Sequence, residues 1–218
     1  MPVPETLSDE QAAGFMVPFH TGWEGLVRRG HLQRGERLLV LGGAGSSGSA
    51  AIQIGKALGA TVIATVSTEA KAAFCREQGA DHVINYREQA IDEGVLELTD
   101  GAGVNVVYDP VGGSAFDAAM RCVARDARIV LIGFSSGAWP SIEPLDVVLR
   151  SVDIVGAYMG AATLDESLEH HHRMMELVEA GRLSVPIDRV YGFDEVPQAI
   201  ERVGHSEAVG KVIVKVAS

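Results

Sequence analysis

The stretch Leu41-Gly42-Gly43-Ala44-Gly45-Ser46-Ser47-Gly48 closes the apolar run that begins Arg37-Leu38-Leu39-Val40 and opens a helical segment, Ser47 to Leu58, that stops at Gly59. Gly43, Gly45 and Gly48 stand in G-x-G-x-x-G spacing. At such spacing the missing side chains allow a tight turn, close approach of backbone to a pyrophosphate, and close packing of helix on strand. The helix that follows adds free N–H groups and a positive dipole end. A strand before the glycines and a helix after them make a dinucleotide site the favoured reading over a merely structural turn.

Further short apolar runs recur at regular intervals: Thr61 to Ala64, His82 to Ile84, Val104 to Tyr108, Arg128 to Ile132 and Val152 to Val155. Helical patterns separate them. Thr68 to Gln78 ends at Gly79, and Thr163 with Glu166 forms a capping box for a helix reaching Gly181. Near-continuous apolar strands alternating with helices predict a parallel sheet covered on both faces, an α/β doubly wound fold of six strands (Rossmann). Upstream, Ser8 and Gln11 cap a short helix over Ala12 to Met16, and a second helix is expected over about Gly22 to Arg29. The tail from Pro186 leaves the rhythm and reads as a short C-terminal appendage ending in a strand, Lys211 to Val216.

The chain has 218 residues, 47% of them apolar and 22% charged, which excludes a disordered or collagen-like protein. A formal charge of −11 disfavours a nucleic-acid surface or a polybasic membrane contact. The first residues, Met1-Pro2-Val3-Pro4, have no signal-peptide pattern, and no apolar run approaches a membrane span, so no membrane contact is expected. Cys75 and Cys122 suit buried thiols in a reducing compartment; a cytoplasmic protein is expected.

Several ordered motifs agree with one family. Thr21 to Val66, then Asp81-His82-Val83-Ile84-Asn85-Tyr86-Arg87, Asp109-Pro110-Val111-Gly112-Gly113 and Ile132-Gly133-Phe134, resemble the zinc-independent NADPH:quinone oxidoreductases (zeta-crystallin-like) of the medium-chain dehydrogenase/reductase superfamily. Two departures stand out. The family usually has a small residue, two further glycines and Val in this loop, where this chain has Gly43, Ser46 and Ser47. Family members also begin with a GroES-like catalytic domain, and by this resemblance the 218 residues are expected to start after it. The resemblance therefore implies a division into 1–30 (helical lead-in), 31–185 (NADP-binding domain) and 186–218 (remnant of the absent domain).

Cofactor choice is read at the tip of the second strand. A site for NAD places an acid there, and Ala64-Thr65-Val66-Ser67-Thr68 has none. Glu69 reads as a first-turn residue favoured by the helix dipole. By resemblance, Ser67, Lys71 and Tyr86 surround a 2′-phosphate, so NADP is expected. The resemblance also brings backbone at Val111, Gly133 and Phe134 to the nicotinamide end and Thr21 near the ring, while Gly43, Gly45, Ser46, Ser47 and Gly48 hold the pyrophosphate.

The implied function is NADPH-dependent reduction of a small quinone or enone. A non-catalytic NADP-binding or interaction module is the alternative, and no catalytic residue or proton donor is assigned. A homodimer is expected across the sheet edge Val152 to Gly156. Competing chemistries fail on their residues: Tyr-x-x-x-Lys is absent after Tyr86, Tyr108, Tyr158 and Tyr191, and G-x-S-x-G is incomplete at Ala44 to Gly48. A methyltransferase would want an acid at the second strand tip. His170-His171-His172 cannot converge on a metal, because neighbours on a helix point about 100° apart; the triplet reads as a solvated face, and no metal is expected.

Overall fold

A computed structural model describes residues 3–216; Met1 and Pro2 of the N-terminal reading lie outside the described residues. The strands β1 (Arg37–Val40), β2 (Thr61–Val66), β3 (His82–Asn85), β4 (Val104–Asp109), β5 (Val123–Leu131) and β6 (Asp153–Gly156) form one sheet in the order β3-β2-β1-β4-β5-β6. Every pairing is parallel; Leu39 of β1 sits opposite Ile63 on one side and Val107 on the other. This is the doubly wound fold expected, and strand order reverses between β1 and β4, where such sheets open a ligand crevice at their carboxyl ends.

The apolar strands are filled from both faces. Leu38, Val40, Val62 and Tyr108 pack on one side with Phe19, Leu26, Ile54 and Met174. Leu39, Leu41, Ile63 and Val107 pack on the other with Ile91, Val95 and Phe116. Each fully buried Leu or Ile contributes roughly 2 kcal/mol, which is why these runs read as continuous rather than alternating. The covering helices are α1 (Asp9–Trp23), α2 (Ser46–Leu58), α3 (Glu69–Glu77), α4 (Ile91–Leu98), α5 (Gly113–Arg121), α6 (Pro144–Arg150) and α7 (Leu164–Glu179). Gly59 takes the left-handed conformation (φ 85°) that ends α2, and Thr163 with Glu166 forms the capping box of α7.

One expectation is corrected. Instead of a short helix over Ala12 to Met16 and a second from about Gly22, α1 runs unbroken through Pro18 and passes directly into a π-helical turn, Glu24–Arg29. Ser8 and Gln11 do form its capping box. The proline costs one backbone hydrogen bond, but Phe15, Phe19 and Trp23 bury one face of the helix, and close packing holds it on α2, where a Cβ on Gly22 would lie 2.8 Å from Ile54 Cδ1. The wider π turn then carries Gly25 against β4 and β5, where a Cβ would come within 3.0 Å of the Tyr108 ring and 2.9 Å of Ile132. At the other end of the chain, β7 (Ile187–Gly192) and β8 (Lys211–Lys215) make a separate parallel pair, joined by α8 (Val196–Gly204).

Candidate functional site

The glycine loop joins β1 to α2 and is anchored to β2. Gly43 N–H donates to the Thr65 carbonyl (3.0 Å) and Gly42 N–H to Thr65 Oγ1 (3.2 Å). Gly45 N–H donates back to the Gly42 carbonyl (3.2 Å) and closes the turn. Thr65, which the sequence reading passed over, thus sets the loop's height above the sheet.

The three glycines of the motif have different reasons to be glycine. A Cβ on Gly43 would lie 2.9 Å from Ala64 Cβ and 3.0 Å from Cys75 Sγ. One on Gly48 would lie 2.3 Å from the Gly42 carbonyl oxygen and 2.8 Å from Gly43 Cα. Both are demanded by the protein's own packing. Gly45 is not: its Cβ would meet only the Gly42 oxygen, at 3.6 Å, and its φ of −74° and ψ of 167° suit any residue. It is exposed and caps α2 without a side-chain hydrogen bond, so the first amides of α2, which no helix satisfies internally, border the same open space.

Ser46 and Ser47 begin α2. The Ser46 carbonyl accepts from Ser49 Oγ (3.1 Å), and Ser47 Oγ lies 2.7 Å from the hydroxyl of Tyr108. Tyr108 is wholly buried, which pushes its phenol upward from the ordinary value, the Ser47 contact opposing. Thr21 is half-buried on α1.

At the tip of β2, Tyr86 N–H donates to the Val66 carbonyl (3.0 Å), so Tyr86 and Ser67 are brought to adjoining strand ends. The Tyr86 ring is exposed. Thr68 caps α3 by accepting from Lys71 N–H (3.3 Å), and Glu69 pairs with Arg76 (2.6 Å) as a first-turn residue. The Lys71 ammonium donates to the Ser206 carbonyl (2.6 Å), in the turn after α8. That turn is tied to the glycine loop as well: Gly210 N–H donates to the Ala44 carbonyl (2.8 Å), and Gly45 bridges Gly210 in parallel.

Beyond β4 and β5, two loops form one unit. Asp109 is fully buried; its Oδ1 accepts from Val111 N–H and Gly112 N–H, both 2.8 Å. Burial pushes its carboxyl above the ordinary value, against those two hydrogen bonds, and Oδ2 meets no hydrogen-bond partner among the described residues. The Asp109 carbonyl accepts from Ile132 and Gly133, and Ser135 and Ser136 N–H donate to Pro110 and Val111 carbonyls (3.0 Å each). Val111 reaches the glycine loop: Val111 Cγ2 lies 3.0 Å from the Cβ position of Gly42. Thus Val111, Gly133 and Phe134 share one loop cluster beside Gly42.

Of the histidine triplet expected on a solvated face, His172 is exposed and His170 half-buried, and only His171 departs from it. His171 is buried, its Nδ1 3.2 Å from Nε2 of the equally buried His20, with Phe15 edge-on to both rings. Burial first, then the neighbouring His171 and His170, lower His20 to about 4. Among the described residues no three His, Cys, Asp or Glu side chains gather as a metal set, and Cys75 and Cys122 are each buried and free. These donors do not fit a zinc ion.

Comparison with known proteins places this arrangement. Residues 48–178 match the zinc-binding dehydrogenase family. The chain is 33% identical over 220 residues to a quinone oxidoreductase-like protein 2 homolog of Nematostella vectensis, covering 97% of this chain and 59% of that protein. It is 32% identical over 217 residues to prostaglandin reductase-3 of Mus musculus, covering 92% of this chain and 57% of that one. Against the structure of Escherichia coli quinone oxidoreductase complexed with NADPH, the TM-score is 0.91 at 30% identity, over 98% of this chain and 67% of the other. The chain spans about three-fifths of the length of the curated relatives it matches. On the family match and these likenesses, the chain belongs to the zinc-binding dehydrogenase family, beside its zinc-independent quinone oxidoreductases.

Proposed function

We propose that this chain binds NADP(H) at the carboxyl ends of β1 and β4 and is the cofactor-binding part of an NADPH-dependent reductase of quinones and enones. The observation that carries the reading is Gly45, the one glycine of the motif whose missing side chain serves nothing inside the protein. A pyrophosphate approaching the α2 N-terminus would occupy the space its Cβ would take. When bound, the cofactor supplies a hydride from its nicotinamide.

The chain's own residues bind and orient. Gly43 and Gly48 hold the loop shape, and Ser46 and Ser47 border the phosphates. Ser67, Lys71 and Tyr86 surround the 2′-phosphate; Val111, Gly133, Phe134 and Thr21 border the nicotinamide end. For this, the Lys71 ammonium turns to the phosphate the donors that the Ser206 carbonyl does not take. Residues 1–30, 31–185 and 186–218 are proposed as lead-in, cofactor domain and C-terminal appendage.

Two further parts belong to the proposal. A homodimer across β6 is supported by its position at the sheet edge, with β5 as its one partner strand and Ile154 and Val155 half-buried. A cytoplasmic setting is supported by two free, buried thiols, each pushed up to about 12, chiefly by burial. Calorimetric titration tests the core of the reading: NADPH binds more tightly than NADH, and Gly45→Val abolishes both. Unchanged NADPH affinity in Gly45→Val overturns it.

A further inference from the structure

The loop after β5 carries two large aromatic side chains that the core does not use. Phe134 and Trp139 pack on each other, ring centroids 4.3 Å apart at 34°, yet remain 45% and 59% exposed. Aromatic rings are among the most costly surfaces to leave in water, and here they are held together in a defined place. The hydrogen bonds from Ser135 and Ser136 to Pro110 and Val111 fix this loop on the carboxyl end of β4, and Gly137 N–H closes it on the Phe134 carbonyl (2.8 Å). Phe134 Cα lies 3.6 Å from the Cβ position of Gly112, whose own φ is +70°. Val111, which precedes Gly112, packs against Gly42. Two contacts therefore lead from the glycine loop to the aromatic pair.

We propose that Phe134 and Trp139 form the platform on which a flat, conjugated ring of the substrate lies, with Trp139 as the specificity-determining residue. The inference rests on the NADP(H)-dependent reductase reading above. A planar bicyclic quinone presents a π face that packs on the exposed side of this tilted pair and covers apolar area now in water. A small aliphatic enone has little face to offer. The platform thus selects extended aromatic quinones over short enones, by ring area rather than by hydrogen bonding.

The test uses the two tryptophans of the chain. In Trp23→Phe, Trp139 is the sole indole. With the protein saturated in NADP+, 2-methyl-1,4-naphthoquinone should quench its emission saturably, and Phe134→Leu in that background should raise half-saturation roughly three- to tenfold. In the parent chain, Trp139→Leu should weaken naphthoquinone binding by calorimetry to the same degree while leaving cyclohex-2-enone and NADP+ affinities unchanged. Quenching that rises linearly without saturation, or naphthoquinone affinity within twofold of the parent in Trp139→Leu, overturns the platform. Conversion of a dimer to monomers by Trp139→Leu with quinone affinity unchanged assigns the pair to a subunit interface and overturns it too. Failure of NADP+ to bind the parent chain refutes the underlying reading, and the platform with it, before any quinone is added.

Discussion

Placing one methyl group at Gly45 and, separately, at Gly48 separates the demands of the fold from those of a ligand. In Gly48→Ala the new Cβ would sit 2.3 Å from a backbone oxygen and 2.8 Å from a backbone carbon. Ordinary contact is about 3.4 Å or more, so loop and helix must part by close to an ångström; overpacking of this kind costs roughly 1–3 kcal/mol. In Gly45→Ala the nearest atom is 3.6 Å away and the backbone angles are ordinary. A poorer N-cap costs up to about 1 kcal/mol, and the smaller freedom of the unfolded chain offsets about 0.4–1 kcal/mol. At roughly 2–4 °C per kcal/mol for a chain of this size, Gly48→Ala should melt some 2–12 °C below the parent and Gly45→Ala within about 2 °C of it. NADPH at a hundred times its dissociation constant should raise the parent by about 2.7 kcal/mol, or some 5–11 °C. Gly45→Ala should lose most of that rise. Differential scanning fluorimetry with and without NADPH reads all four numbers. A full NADPH shift in Gly45→Ala, or a Gly45→Ala chain as unstable as Gly48→Ala, would refute the argument that the middle glycine serves a ligand.

Three further outcomes are expected. Lys71→Ala should shrink the preference for NADPH over NADH by calorimetry, and an unchanged ratio would remove Lys71 from the 2′-phosphate site. His20, held at about 4 against 6.5 in the unfolded chain, refuses a proton that the unfolded chain accepts. Stability should therefore fall as pH drops from 6.5 to 4, by about 3 kcal/mol from this group; urea titrations of the parent minus His20→Gln should show that slope, and parallel curves would refute it. Ile154→Pro should turn a dimer into monomers in light scattering, whereas a monomeric parent rejects the β6 interface.

The sheet was legible because its evidence is local. Leu38 to Val40, Val62 to Ala64 and Val106 to Tyr108 are buried on both faces, so each run announces itself as apolar without reference to anything distant. Gly43 and Gly48 were legible for the same reason, their crowding arising from the turn and its flanking elements. The gap expected between Met16 and Gly22 did not form because local propensity yielded to packing against α2, and His171 misled because its burial depends on His20, 151 positions away. Trp139 had no periodicity to mark it; its partner is set by a loop that Asp109 and Pro110 hold in place.

The proposed 2′-phosphate end joins both kinds of information. Ser67, Thr68 and Lys71 are neighbours in sequence, and their grouping at the strand tip follows from β2 and α3 alone. The hydrogen-bond partner of the Lys71 ammonium, however, is a carbonyl 135 positions later, at Ser206, and the same turn is fastened to the glycine loop through Gly210 and Ala44. Ser206 takes φ +57°, a left-handed conformation unusual for a residue with a Cβ. The carbonyl that receives the Lys71 ammonium is therefore presented by a constrained turn. An ammonium carries three donors, so in the proposed site the Ser206 carbonyl holds one while the others face the phosphate, and the C-terminal segment bears on cofactor affinity by positioning Lys71 although no motif in it names a nucleotide.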